Sequence, residues 1–232
     1  MTILLVVFTI LIALSIDGIR TALRRRRGEL PAHEAALAMR APSPPYGLFV
    51  DDGHAWVRLA ADGTLRVGVD DFLAEAIGET KSIVLPKLGH VERGEPLLRI
   101  QLADREVIVP APASGEIVAT NADLAASPDL LSHDPYGLGW AVSLRARDHK
   151  AAIAPLHVGR GAIEFLHEEV RRFLDLLTRD ARRAPDAPLL FADGGMPLRG
   201  ALSTCSEAAF DRFQREFLPT TPASEPAMTK GH

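Results

Sequence analysis

The sequence predicts a mainly β fold with added helices, and three observations carry that reading. Between residues 46 and 147, short runs rich in β-branched and apolar residues alternate with turn signals. One short helical stretch, Asp70 to Gly78, interrupts them, with Asp70 as N-cap and Gly78 as stop. After Arg147 the apolar spacing changes to that of an amphipathic helix. Many short strands with an inserted helix point to a small barrel or sandwich, followed by an α-helical extension.

Residues 1–16, MTILLVVFTILIALSI, contain no charge, and apolar side chains run all round any helix drawn through them. The run predicts a transmembrane anchor over residues 1–23, slightly short of the roughly 20 apolar residues that span a hydrocarbon core. No basic segment precedes it and no small-x-small site follows it, which disfavours a cleaved signal peptide. Arg24 to Arg27 come next, so the positive-inside tendency places the rest of the chain at the cytoplasmic face of a single-pass inner membrane protein, with the bilayer as a partner through residues 1–20. Residues 24–45 read as a basic, Pro-rich tether ending in Pro42, Pro44 and Pro45.

Within residues 46–147 the predicted strands are Tyr46–Val50, His54–Ala60, Thr64–Val69, Ser82–Leu85, Leu97–Leu102, Val107–Val109, Glu116–Thr120 and Trp140–Arg145. Ala61-Asp62-Gly63 marks a tight turn between two of them. Leu97, Leu98, Ile100 and Leu102 lead into the polar group Ala103-Asp104-Arg105-Glu106, and Val107, Ile108 and Val109 lead out, so this segment is a hairpin with Asp104 at its tip.

The order His54-Ala55-Trp56-Val57, Val67-Gly68-Val69-Asp70-Asp71, Glu75-Ala76-Ile77-Gly78, Leu85-Pro86-Lys87-Leu88-Gly89, Ala111-Pro112-Ala113-Ser114-Gly115-Glu116-Ile117-Val118, Asn121 and Asp134-Pro135-Tyr136-Gly137-Leu138-Gly139-Trp140 resembles the glycine cleavage system H protein family. The resemblance covers about 100 residues, Gly53 to Arg145. It implies a lipoyl-type barrel-sandwich hybrid. It also implies a carrier role, in which a lipoyl group on a hairpin-tip lysine moves between a decarboxylase, an aminomethyltransferase and a lipoamide dehydrogenase.

By that resemblance the lysine position falls on Asp104, flanked by Ala103, Arg105 and Glu106. Lipoylation is an amide bond to a primary amine, which a carboxylate cannot make and a permanently protonated guanidinium makes poorly. The chain has four lysines, Lys81, Lys87, Lys150 and Lys230, and none is in the tip string. The expectation is therefore a non-catalytic, non-lipoylated, membrane-anchored binding or scaffold subunit with unidentified protein partners and no cofactor. The alternative is a lipoate-bearing carrier of the glycine cleavage system, or of a related lipoate-dependent pathway, with a shifted attachment site.

Other chemistry is thinly supported. The formal net charge is −4, and residues 46–147 carry nine basic against fifteen acidic groups, which argues against nucleic acid as a partner of this domain. Cys205 is the one cysteine, so neither an internal disulfide nor a cysteine-based metal site can form. His167-Glu168-Glu169-Val170-Arg171 lacks the second histidine of a zinc-protease helix, and no metal site is expected. Gly159-Arg160-Gly161 is too sparse for a phosphate loop.

In the extension, residues 148–218, Ile163, Leu166, Val170, Phe173, Leu174 and Leu177 form the apolar stripe of a helix over about 161–183. Leu189-Leu190-Phe191 reads as a short strand. Thr204-Cys205-Ser206-Glu207 reads as a capping box opening a second helix, with Phe210, Phe213 and Phe217 along one side. That stripe is a core face, or alternatively a surface for a partner protein. Residues 219–232 read as a disordered tail.

Overall fold

The computed structural model describes residues 39–183 and 199–221. Within them ten strands run in order as β1 (Phe49–Val50), β2 (Ala55–Leu59), β3 (Leu65–Val69), β4 (Ser82–Val84), β5 (Gly89–Val91), β6 (Pro96–Gln101), β7 (Glu106–Pro110), β8 (Gly115–Thr120), β9 (Trp140–Arg145) and β10 (His157–Val158). Among the described residues seven helices join them: α1 (Asp71–Ile77), α2 (Ala122–Ala126), α3 (Leu130–His133), α4 (His149–Ile153), α5 (Arg160–Arg183), α6 (Ala201–Thr204) and α7 (Glu207–Phe217).

All eight expected strands form, with ends moved by up to three residues. β5, β10 and the short helices α2, α3 and α4 are additions. They are too short, or too interrupted by Pro, Asp and His, to leave a readable period. Two antiparallel sheets result, one in the order β10-β1-β2-β3-β9-β8-β5 and one in the order β4-β6-β7. Their inner faces enclose one core that includes Val57, Val67, Leu98, Ile100, Val107, Val109 and Val142, all essentially without exposure. α1 is capped as expected, Asp70 accepting from the Leu73 N–H at 2.8 Å and Gly78 closing the helix at φ +72°.

The matching Trp, Tyr and Gly residues serve as construction. Trp56 is buried and donates from Nε1 to the Pro135 carbonyl at 3.0 Å, and Gly68 leaves room for its ring. The Tyr136 hydroxyl donates to Asp71 Oδ1 at 2.6 Å, tying the Pro135–Trp140 corner to the start of α1. Asn121 donates to the Leu138 and Trp140 carbonyls, which fixes the same corner from the other side.

The extension shares the barrel's core. α5 and α7 pack together; Phe213 and Phe217 stack on Phe72 of α1, and Phe173 meets it edge-on. The capping box is corrected in register: Ser206, not Thr204, caps α7 by accepting from the Ala209 N–H at 3.2 Å, and Thr204 ends the separate helix α6. The Asp180 carboxylate claims both the Ser206 N–H and its hydroxyl, fixing the cap to α5.

The fold class needs a second correction. Among the described residues no helix is long and apolar enough to cross a membrane. The longest, α5, has 24 residues but is amphipathic, with Arg and Glu along its outer side. The transmembrane helix expected over residues 1–23 and the basic tether up to residue 38 lie outside the described residues, as do the Leu189–Phe191 strand and the tail from residue 222. The described architecture is mainly β with added helices.

Candidate functional site: the β6–β7 hairpin and its flank

The β6–β7 hairpin closes over Leu102 to Arg105. Gln101 pairs with Glu106 in the ladder, and the Leu102 N–H donates to the Arg105 carbonyl at 2.8 Å. This leaves Ala103 and Asp104 as the two residues of the turn. Leu102 is buried, anchoring the turn to the core, whereas the Asp104 side chain is 73% exposed. Glu106 is bound to Arg99 across the hairpin at 2.7 Å.

Arg105 is not a free surface cation. Its guanidinium donates to the Leu202 carbonyl at 3.0 Å and lies over the Phe210 ring at 5.3 Å, with Cys205 Sγ at 3.6 Å. Along the same strand, the Gln214 amide bonds the Ile108 main chain, and the Thr221 N–H donates to the Gly94 carbonyl at 2.7 Å near the base of the hairpin. The extension thus runs along β7 from tip to base. A free strand edge is a template for unwanted pairing, and here a helix covers it.

Phe210, Phe213 and Phe217, considered as a partner-binding stripe, are buried in the chain's own core and present no open groove. Cys205 is buried too, and burial pushes its thiol up to about 11, so it is no nucleophile at neutral pH.

Sequence reasoning missed the polar pivot between barrel and extension. His54 is fully buried with φ +61°, a conformation uncommon for a residue with a side chain. Its Nδ1 meets Asp70 Oδ2 at 2.9 Å, and its Nε2 faces Glu169 Oε2 of α5 at 3.5 Å. Phe72 and Phe165 flank the ring. Burial alone would push the imidazole down, but the two carboxylates outweigh it and raise it to about 9. Glu169 is lowered: burial opposes its charge, but His54 and Arg172 more than compensate. Arg172 reaches on to the Glu216 carbonyl and lies over Phe217, so one line of charges joins α1, α5 and α7. Both His54 and Glu169 were visible as residues. The signal that pairs them is the packing of α5 on the barrel, which spacing does not encode.

At the base end of the hairpin a cleft of about 760 Å³ is lined by His90, Glu92, Arg93, Ser114, Glu116 and Arg145, among others. Its charges largely satisfy one another, as in Glu92 with His90 and Ser114 and Arg145 with Glu116. No group of three or more potential metal ligands occurs among the described residues.

Comparison with known proteins converges on one family. The profile described as glycine cleavage H-protein matches residues 48–169. The glycine cleavage system H protein of Mycobacterium sp. (strain KMS) is 38% identical over 115 residues, 48% of this chain and 88% of its own length. The probable glycine cleavage system H protein of Pyrococcus furiosus is 31% identical over 121 residues, 52% of this chain and 90% of its own. A crystal structure of a glycine cleavage system H protein from Mycobacterium marinum superposes with a TM-score of 0.46 at 28% identity, covering 54% of this chain and 98% of that one.

Proposed function

The chain belongs to the glycine cleavage H-protein family, and on that premise we propose that it is a non-catalytic lipoyl carrier of the glycine cleavage system or a related lipoate-dependent pathway, with its attachment site displaced from the hairpin tip. The observation that carries this reading is the match itself. It spans the whole barrel and runs into α5, and it covers most of the length of relatives named as H proteins. The exposed turn at Ala103-Asp104, on a hairpin rooted by buried Leu102, supports it as the place where partner enzymes approach.

One observation favours a second reading. Asp104 occupies the turn, and Arg105 beside it is engaged by the chain's own extension, which suits a docking subunit that carries nothing. In that reading the barrel supplies the binding surfaces of the family and another protein supplies the arm.

Intact-mass measurement of the full chain from lipoate-replete and lipoate-starved cells separates the two. A lipoyl increment that disappears on starvation supports the carrier. An identical, unmodified mass in both supports the docking subunit.

A further inference from the structure

We propose that residues 222–232 of this chain occupy the cleft at the base of the hairpin, with Glu225 against Arg147, so that the C-terminal extension straps the hairpin from tip to base. Occupancy of the cleft is independent of whether the chain carries a lipoyl group.

The direction of the chain leads the segment there. The extension advances in step with β7: Phe210 lies under the Arg105 guanidinium, Gln214 bonds Ile108, and the Thr221 N–H reaches the Gly94 carbonyl. Gly94 in turn donates to the Ala111 carbonyl, just past the end of β7. The contact is close, since a Cβ on Gly94 would lie 2.7 Å from the Thr221 hydroxyl. The neighbouring Arg93 N–H donates to Ser114 Oγ at 2.9 Å, and Arg93 and Ser114 both line the cleft. The residue after Thr221 therefore starts at the rim of the cleft.

The cleft holds a cation for the segment. Arg93 is bound to Asp51, and Arg145 meets Glu116 only at 3.9 Å. Arg147 is exposed in the lining, and its side chain makes no ion pair or hydrogen bond among the described residues. Ser114 and His90 hold the Glu92 carboxyl low, with a weaker, longer-range pull from Arg147. Residues 222–232 contain one acidic residue, Glu225.

The reach is sufficient. β5, β8 and β9 are successive strands, and Gly94 and Arg147 follow β5 and β9 at the same end of the sheet. Two strand spacings put them roughly 10 Å apart. From Thr221 to Glu225 an extended chain covers about 13 Å. Pro222 and Pro226 favour the extended form, because proline fixes its own φ and turns the residue before it away from the helical region. Ala113, Ala146 and Ala152 give the cleft small apolar walls for Pro226, Ala227 and Met228.

The test is 15N relaxation on the full chain, comparing wild type with Arg147→Glu, Glu225→Lys and the double reversal. Arg147 is exposed and unpaired, so its reversal spares the barrel, and unchanged amide shifts in β2 and β3 check this. The expected result is amide order parameters at Ala227 and Met228 above about 0.6 in wild type, below about 0.6 in each single reversal, and restored in the double. Wild-type values below about 0.6, or order indifferent to both single reversals, overturn the docking. Order lost in the single reversals and not regained in the double overturns the Glu225–Arg147 pairing. Order that appears only at concentrations where sedimentation shows a dimer assigns the cleft to a second copy and overturns the strap.

Discussion

Gln214 presents its side-chain amide to the main chain of Ile108, accepting at Oε1 from the Ile108 N–H at 3.0 Å and donating from Nε2 to the Ile108 carbonyl at 2.7 Å. A side chain on α7 thereby imitates the next strand of the β4-β6-β7 sheet. The hairpin that distinguishes a carrier fold is in this chain also the seat of its C-terminal extension.

Gln214→Ala should weaken that seat. Two neutral hydrogen bonds at roughly 0.5–1.5 kcal/mol each give a loss of about 1–3 kcal/mol, read as a lower urea midpoint. Faster hydrogen exchange should be confined to the Ile108 amide and α7. Unchanged exchange at Ile108 would mean that the amide pair is not the seat of the extension.

The His54 pivot predicts a pH dependence with a definite sign. The imidazole is raised from 6.5 to about 9 on folding, so the folded state binds the proton more tightly than the unfolded state. Its contribution is complete below about pH 6.5 and is lost as pH rises through 9. A tenfold difference in proton affinity is worth about 1.4 kcal/mol, so the loss is on the order of 3 kcal/mol. Urea midpoints between about pH 6 and about pH 9.5 should fall accordingly. In His54→Gln that slope should flatten, and a slope equal to wild type would mean that no buried charge sits at this pivot.

Gly78 meets Gly200 where the barrel receives α6. Gly78 has φ +72°, and a Cβ built on it lies 2.5 Å from the Gly200 Cα; the Gly200 N–H donates to the Glu75 carbonyl at 2.8 Å. Gly78→Ala should cost more than about 1 kcal/mol, because neither backbone can retreat and the left-handed conformation disfavours a side chain. Thermal unfolding checks it, and a neutral effect would contradict the close approach.

The barrel is largely legible in the sequence, and the seat of the extension is not. Alternating apolar runs with turn signals locate the eight main strands, and the Asp70 cap and Gly78 stop locate α1, because those signals are local. The Ala103-Asp104 turn is legible for the same reason. The Gln214–Ile108 and His54–Glu169 pairings join residues 106 and 115 positions apart, and no spacing rule connects them. Thr204 reads as the cap because it stands three residues before Glu207. Ser206 takes that role because Asp180, far away in sequence, holds it in place.

Asp104→Lys should place an amine in the exposed turn. A lipoate-protein ligase is expected to modify that variant at residue 104, detected by peptide mapping. An unmodified residue 104 would show that the turn geometry is not that of a ligase substrate.

Carriage itself is tested most directly by reduction of the loaded chain. The full chain from lipoate-replete cells is incubated with NADH and a lipoamide dehydrogenase, and NADH oxidation is counted against moles of chain. The expected result is reduction of one lipoyl disulfide per chain. A chain that arrives unmodified, or that is loaded and cannot be reduced, would contradict carriage.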